Sequence, residues 1–194
     1  MKIAVYNIKG GVGKTRIALN LALTLDCAII TNETYTPTLE KILDPKRYIK
    51  LGVDEKLGSY KGDFDIIYDF GGFLDDRISK ALKQSDLVII PTINEYDDFA
   101  STFSIIPEIE GYNKNILLVV NKAQKGDFKH IKKGIKKIYN YPVFELKLSR
   151  ALPNITNEGK SIRAMVKDGG LKAFSYKDVN DQFEKIINHI SKKV

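Results

Sequence analysis

A glycine-rich segment near the start of the chain reads Ile8-Lys9-Gly10-Gly11-Val12-Gly13-Lys14-Thr15. It follows an apolar run, Lys2–Asn7, that we interpret as a strand. It also opens the segment Thr15–Leu25, whose apolar residues recur with the 3.6-residue period of a helix, at Ile17, Ala18, Leu21, Ala22 and Leu25. The segment is therefore a loop that joins a strand to an amphipathic helix.

The composition of this loop is typical of a phosphate-binding site. Its three glycines let the backbone turn tightly, so that successive N–H groups and the positive end of the helix can surround a polyphosphate. Lys14 would reach the β- and γ-phosphates, and Thr15 would bind Mg²⁺. A glycine-rich turn without a ligand is the alternative, but the strand, loop and helix are all in register. The predicted nucleotide contacts are Gly10, Gly11, Val12, Gly13, Lys14, Thr15 and Arg16.

Two residues distinguish the loop from the common phosphate-loop pattern. Ile8 stands where that pattern has a glycine, and Lys9 adds a second lysine. The resulting Lys-Gly-Gly-x-Gly-Lys-Thr resembles the deviant phosphate loop (deviant Walker A motif) of the ParA/MinD family, which are P-loop ATPases of the SIMIBI class. The resemblance implies that Lys9 reaches across a dimer interface to the nucleotide of the partner subunit.

The composition of the 194 residues is that of a globular protein, with 43% hydrophobic and 28% charged residues. We expect a single domain over residues 1–194, because two halves would each be small. No apolar run has the length of a membrane span and the N-terminus lacks the order of a signal peptide, so we expect a cytoplasmic protein. The lone Cys27 lies in an apolar run and is predicted to be buried. His130 and His189 have no cysteine or histidine neighbours in sequence, which argues against a zinc or iron–sulfur site.

Apolar runs and helical stretches alternate along the chain. This alternation predicts a three-layer α/β sandwich, with a mostly parallel, twisted sheet and helices on both faces. The predicted core strands are Lys2–Asn7, Cys27–Thr31, Phe64–Asp69, Asp86–Thr92, Asn115–Asn121 and Pro142–Lys147. The predicted helices are Thr15–Leu25, Asp76–Gln84, Tyr96–Pro107, Phe128–Tyr139, Ser161–Lys167 and Asp178–Ser191. A short helix at Thr38–Leu43 and an edge strand at Tyr48–Leu51 complete the prediction.

The third strand ends in Asp69-Phe70-Gly71-Gly72. Ligands of such sheets bind beyond the carboxyl ends of the strands. There the Asp69 carboxylate can hold a water on Mg²⁺, and the Gly72 N–H can sense the γ-phosphate. ParA/MinD relatives usually have Asp-x-Pro here, so the glycine pair departs from the family and resembles Asp-x-x-Gly of GTPases. A plain turn after a strand is the alternative.

The second strand ends in Ile30-Thr31-Asn32-Glu33. ParA relatives typically have two aspartates here, which Thr31 and Glu33 replace by position. In the family the second aspartate positions the attacking water. Glu33 could do so one methylene further out, because in-line phosphoryl transfer mainly requires an oriented water and neutralised charge. It could equally fail, so slow hydrolysis is a prediction. The predicted catalytic residues are Lys9, Lys14 and Glu33.

The fifth strand leads into Asn121-Lys122. In the relatives an asparagine at this position reads the adenine edge, whereas GTPases have Asn-Lys-x-Asp for guanine. Gln124 occupies the position of that aspartate, so adenine is the better prediction. An asparagine that caps the next turn is the alternative. The residues after the sixth strand resemble the loop of the family that encloses the base, and Pro153 is a predicted base contact.

Two segments have more than one interpretation. Phe128–Tyr139 places Phe128, Ile131, Ile135 and Ile138 on one helical face and five lysines on the other. It is either a solvated outer helix or a contact for the DNA backbone. The last helix carries an apolar stripe that fits a core-packing helix better than a MinD-like membrane tail.

The predicted function is that of a ParA-like, Mg²⁺-dependent ATPase. The net charge of +7 is compatible with a polyanionic partner. The resemblance implies an ATP-dependent homodimer that binds DNA nonspecifically on the nucleoid, with hydrolysis stimulated by a ParB-like centromere-binding protein, in plasmid or chromosome partitioning. The alternatives are a MinD-like positioning ATPase on the membrane and a small metabolic P-loop ligase or kinase.

Overall fold

The computed structural model describes residues 1–33, 38–60 and 64–193 of the chain. The strands in these residues are β1 (Lys2–Asn7), β2 (Ala28–Thr31), β3 (Tyr48–Lys50), β4 (Ile66–Gly71), β5 (Leu87–Thr92), β6 (Ile116–Ala123) and β7 (Val143–Lys147). They form a seven-stranded sheet in the order β3-β2-β4-β1-β5-β6-β7. Each pairing along it is parallel.

Helices cover both faces of this sheet. They are α1 (Lys14–Leu25), α2 (Thr38–Ile42), α3 (Asp76–Gln84), α4 (Tyr96–Glu110), α5 (Asp127–Lys136), α6 (Ala151–Glu158), α7 (Ile162–Lys167) and α8 (Gly170–Ile190), and a 3₁₀ turn spans Pro45–Arg47. Side chains along a strand alternate between its faces. In β1, Ile3 and Val5 therefore pack in a core with α1, α6, α7 and α8, whereas Ala4 and Tyr6 pack in a second core with α3, α4 and α5. The predicted three-layer α/β sandwich is confirmed.

Two strands differ from their predicted bounds by more than one residue at an end. β4 begins at Ile66, because its register with β1 pairs Lys2 with Ile66 and Asn7 with Gly71. Phe64, predicted as its first residue, lies before the strand and is 60% exposed. β6 continues to Ala123, so Asn121 lies within the strand and not beyond it.

Two helices, α6 and α8, differ most from the prediction. In addition, α4 continues beyond the predicted end at Pro107 to Glu110, and α5 ends at Lys136 and not at Tyr139. α6 occupies the segment around Pro153 that the sequence predicts as a loop. That proline is the third residue of the helix, where a backbone N–H has no acceptor within the helix, so the first turn tolerates it. α8 begins at Gly170 and not at Asp178. Its first turns expose Leu171 and Phe174, so no apolar stripe marks this part of the helix in the sequence.

The burial of individual side chains tests three further predictions. The stripe of α8 is buried, as expected for a core helix, at Val179, Phe183, Ile186, Ile187 and Ile190. Cys27 is also buried, which raises the pKa of its thiol to about 12. The prediction for Ile138 is wrong, because α5 ends at Lys136 and leaves this side chain 65% exposed. Among the described residues, no helix combines the length and apolarity needed to cross a membrane.

Candidate functional site

The sheet brings the predicted site residues to one edge. β1 lies between β4 and β5, and the loop that follows β1 leaves the sheet at the carboxyl ends of the strands. β2 and β4 pair with Thr31 opposite Asp69. The ends of β1, β2 and β4 are thus neighbours, as expected for the ligand-binding edge of an open parallel sheet.

The glycine loop has a conformation that requires glycine. Gly11 and Gly13 have φ angles of +79° and +96°, in the left-handed region. At Gly13 a Cβ atom would also lie 2.2 Å from Nδ2 of Asn121. Gly13 is the N-cap of α1 and has no side chain to accept from the first N–H groups of that helix. These N–H groups are therefore available to donate hydrogen bonds to a bound anion, which the helix dipole would also attract.

Lys14 lies between the loop and the end of β4. Its Nζ donates to the carbonyl oxygen of Lys9 at 2.7 Å, and the residue is only 8% exposed. A Cβ at Gly71 would lie 2.9 Å from Cε of Lys14, so this glycine makes room for the lysine. Burial lowers the pKa of Lys14, and the charges of Asp69 and Glu33 oppose this shift.

Asp69 is a buried carboxylate at the base of the same site. Asp69 is 1% exposed, and this burial raises the pKa of its carboxyl group to about 7. Hydrogen bonds from Thr15 and Thr31 and the charge of Lys14 lower the pKa and so oppose part of this shift. One of its oxygens, Oδ1, has no hydrogen-bond partner in the structure. An unpaired buried carboxylate oxygen beside a threonine hydroxyl fits Mg²⁺ held through that hydroxyl and through water. The predicted metal residues, Thr15 and Asp69, therefore lie together.

Glu33 faces the mouth of the loop. Its N–H donates to Oγ1 of Thr31 at 3.0 Å, and a Cβ at Gly71 would lie 3.4 Å from its Oε1. A cavity of about 310 Å³ brings Glu33 together with loop residues, and its lining is Gly10, Gly11, Gly13, Lys14, Thr15, Arg16 and Glu33. The side chain therefore lies beside the loop residues that are predicted to bind phosphate, and its role in hydrolysis stays a prediction.

A second cavity continues from the loop along α1. It has a volume of about 460 Å³ and is lined by Thr15, Arg16, Leu19, Glu33, Thr38, Pro153, Thr156 and Asn157. It brings Arg16 on α1 together with Pro153 on α6. The sequence suggested Pro153 as a base contact, and the structure adds Thr156 and Asn157 from the same helix, which the sequence did not indicate because α6 was not predicted.

Asn121 and Lys122 lie under the loop. Nδ2 of Asn121 donates to the Val12 carbonyl at 2.8 Å, and Nζ of Lys122 donates to the Gly11 carbonyl at 2.9 Å. Asn121 is 1% exposed. In this structure its amide nitrogen supports the loop, and the adenine contact stays a prediction.

Sequence reasoning missed three residues that hold the site. Asn7, the last residue of β1, accepts from the Lys9 N–H at 3.0 Å and donates to the Pro91 carbonyl at 2.8 Å. Asn32 pairs with the backbone of Gly71, and the hydroxyl of Tyr6 donates to the Gly72 carbonyl at 3.0 Å. For Asn7 and Asn32 the sequence did offer a signal, since each asparagine lies at or directly after the end of a strand.

The fold of this chain matches solved structures, although its sequence matches no described family. No family model and no curated protein matches the sequence. Solved structures do match: McdA from Cyanothece, in complex with ATP, has a TM-score of 0.69 and 15% identity over 98% of this chain and 96% of its own. The chain has the ParA/MinD ATPase fold. A plasmid partition protein from Borrelia burgdorferi bound to AMPPNP has a TM-score of 0.63 and 18% identity, over 97% of this chain and 99% of its own.

MinD from Pyrococcus horikoshii, in complex with Mg-ADP, also has this fold. Its TM-score is 0.61 and its identity 14%, over 95% of this chain and 96% of its own. All three structures align with nearly the whole of this chain, so the likeness extends over the complete order of strands and helices and is not confined to the glycine loop.

Proposed function

We propose that this chain is a ParA-like, Mg²⁺-dependent ATPase whose ATP-bound form is a homodimer that binds DNA nonspecifically. The observation that carries the proposal is the group formed by buried Lys14 and Asp69 with half-buried Thr15, beside a loop whose Gly11 and Gly13 are left-handed. A lysine, a hydroxyl and an unpaired carboxylate oxygen are the groups needed to bind a metal-bound polyphosphate. The nucleotides bound to McdA and to the plasmid partition protein support this assignment.

The position of each residue determines the part of ATP that it would contact. The N–H groups of the loop and Nζ of Lys14 would bind the β- and γ-phosphates, while Thr15 and Asp69 would hold Mg²⁺. The bound metal supplies positive charge that offsets the charge developing on the phosphates. Arg16, Pro153 and Asn121 would contact the α-phosphate and base side of the nucleotide, with adenine as the base.

Hydrolysis would depend on Glu33 and on a second subunit. Glu33 would orient the attacking water, and Lys9 would reach the nucleotide of the partner subunit. Because Thr31 and Glu33 replace two family aspartates, we expect slow turnover that a ParB-like partner protein stimulates. Hydrolysis would then open the dimer and release DNA, as a switch for plasmid or chromosome partitioning on the nucleoid.

The cationic face of α5 is the DNA-binding surface that we propose. Its exposed lysines are Lys129, Lys132, Lys133 and Lys136, and Lys137 follows directly after the helix. Each phosphate that a lysine neutralises releases a counterion, so binding must weaken steeply with salt. Replacing Lys133 and Lys137 by alanine should lower the slope of log affinity against log salt by about one for each phosphate that is no longer neutralised. Lys114→Ala is the matched control, because this exposed lysine lies outside α5, in the segment before β6.

One experiment tests the proposal as a whole. We would measure molecular size and retention on arbitrary duplex DNA with ADP and with a non-hydrolysable ATP analogue, for wild type, Lys9→Ala and Lys114→Ala. We expect wild type to form a DNA-binding dimer with the analogue and not with ADP. Lys9→Ala should neither dimerise nor bind DNA, whereas Lys114→Ala should behave as wild type. Normal dimerisation of Lys9→Ala would remove the role of Lys9. Analogue-dependent retention on phosphatidylglycerol liposomes instead of DNA would favour the MinD-like alternative, and a monomer in both nucleotides would favour a metabolic enzyme.

A further inference from the structure

Asn32 extends the pairing of β2 with β4 through its side chain. β2 ends at Thr31, which lies opposite Asp69, whereas β4 continues to Gly71. Nδ2 of Asn32 donates to the Gly71 carbonyl at 2.8 Å, and Oδ1 accepts from the Gly71 N–H at 3.1 Å. A side-chain amide offers one donor and one acceptor side by side, as a peptide group does. The side chain thus replaces the missing strand and holds both polar groups of one glycine.

Gly71 lies against the groups that would act on the γ-phosphate. A Cβ at this position would be 2.9 Å from Cε of Lys14 and 3.4 Å from Oε1 of Glu33. The next residue, Gly72, has a φ of +87°, and its carbonyl accepts from the Tyr6 hydroxyl at 3.0 Å. Asn32, directly after β2, and Tyr6, on β1, therefore hold consecutive glycines at the predicted phosphate side of the site.

We propose that Asn32 is a positioning residue that lets the site distinguish ATP from ADP. It fixes the Gly71-Gly72 backbone beside the γ-phosphate and ties that backbone to Glu33, its neighbour in sequence. Because the Gly71 N–H donates to Asn32, the Gly72 N–H is the donor that we assign to the γ-phosphate. This inference rests on the proposed ATP-binding function.

The physical basis of the discrimination is the entropy of two adjacent glycines. Glycine loses more conformational freedom on ordering than any other residue. Without the Asn32 amide, Gly71 would keep only its pairing with Asn7 of β1. The γ-phosphate would then have to restrict the Gly71-Gly72 backbone further, whereas ADP would make no contact there. Removal of Asn32 should therefore weaken ATP binding and leave ADP binding almost unchanged. A purely structural role would weaken both nucleotides alike.

The test compares the dissociation constants of Mg-ADP and of a non-hydrolysable Mg-ATP analogue by calorimetry. In Asn32→Ala the preference for the analogue should fall roughly tenfold, since two hydrogen bonds of ordinary net strength are removed, and ADP affinity should change less than about twofold. Tyr6→Phe removes only the hydrogen bond to Gly72 and should lower the preference by roughly three- to fivefold. This second variant keeps the test informative if Asn32→Ala folds poorly.

Asn113→Ala is the matched control. Asn113 also binds backbone through its amide, donating to the carbonyls of Leu82 and Ser85 at 3.0 and 2.6 Å, but far from the loop. Its removal should lower thermal stability and leave the nucleotide preference unchanged. Equal preference in wild type and Asn32→Ala, or an equal loss for both nucleotides, would overturn the inference while leaving the ATPase proposal intact. A wild-type protein that binds neither nucleotide would overturn both.

Discussion

The glycine loop and the end of β2 meet at Asp69, yet they differ in how closely they follow the ParA/MinD pattern. The loop keeps the glycines, lysines and threonine of the motif, and its left-handed glycines and buried Lys14 suit phosphate binding. The end of β2 has Thr31 and Glu33 where the family has aspartates, and Glu33 is exposed. Under the proposed function, nucleotide binding and hydrolysis would therefore depend on different segments, and each could be altered separately.

Removing the charge of Lys14 should have the largest effect. Lys14→Met keeps most of the buried aliphatic chain but lacks the ammonium group, so nucleotide affinity should fall at least about 100-fold, as expected when charge-assisted hydrogen bonds to phosphate are removed. Calorimetric titration with Mg-ADP and Mg-ATP analogue measures the change. Lys114→Ala serves as the control for a general charge effect. Unchanged affinity in Lys14→Met would remove the loop from the nucleotide site.

Glu33→Ala should separate the two segments. If Glu33 orients the attacking water, the hydrolysis rate should fall roughly 100-fold, while the affinity for the ATP analogue changes less than about threefold. Single-turnover hydrolysis and analogue titration on the same preparation give both values. Glu33→Gln, which keeps the size of the side chain, tests whether the charge is needed. Hydrolysis that survives both changes would assign the water to another group.

A methyl group at Gly13 should damage the loop itself. Gly13→Ala must adopt a φ near +96° and place its Cβ against Asn121, which should cost about 1–3 kcal/mol of stability and reduce nucleotide affinity. Gly10→Ala is the control, because a Cβ there has no heavy atom within 4 Å and its thermal stability should match wild type. Equal melting temperatures for the two variants would show that the loop adapts to the methyl group.

The smallest effect concerns Asp69 in the metal-free protein. Its pKa is raised to about 7 from an ordinary 3.8, so between these pH values the folded protein keeps a proton that the unfolded chain has lost. Stability should therefore fall as the pH rises through this window. Asp69→Asn removes the penalty, so it should melt higher than wild type at pH 8, by roughly 2–4 °C for each kcal/mol regained, and equally at pH 4.

Melting curves in EDTA at several pH values, and again with Mg-ATP analogue, test this last prediction. The analogue with Mg²⁺ should stabilise wild type more than Asp69→Asn. A difference in melting temperature that does not vary with pH would mean that Asp69 is not the group that titrates.

Local patterns were sufficient to predict most of the fold. The order of strands and helices and the loop at Gly10–Lys14 follow from apolar periodicity and glycine spacing, which operate over a few residues. The same patterns do not reveal α6, because Pro153 is typical of a loop, although the first turn of a helix accepts proline.

The remaining contacts of the site could not be predicted from the sequence, because they join residues that are far apart in the chain. The contact of Asn32 with Gly71 joins residues 39 positions apart, and it depends on the register between β2 and β4. Likewise, Asn121 was expected to face a base, but the extension of β6 places its amide nitrogen on the Val12 carbonyl. No spacing within the sequence encodes either arrangement.

The hydrogen bonds that Asn121, Lys122 and Asn7 make with the loop backbone also have a thermodynamic consequence. They hold the carbonyls of Val12 and Gly11 and the N–H of Lys9 through side chains of the protein itself. The conformational entropy of the loop is thus lost when the chain folds and not when a ligand binds. Under the proposed function, ADP and ATP would therefore meet a loop whose conformation is already fixed, and the free energy of their phosphate contacts would contribute to affinity.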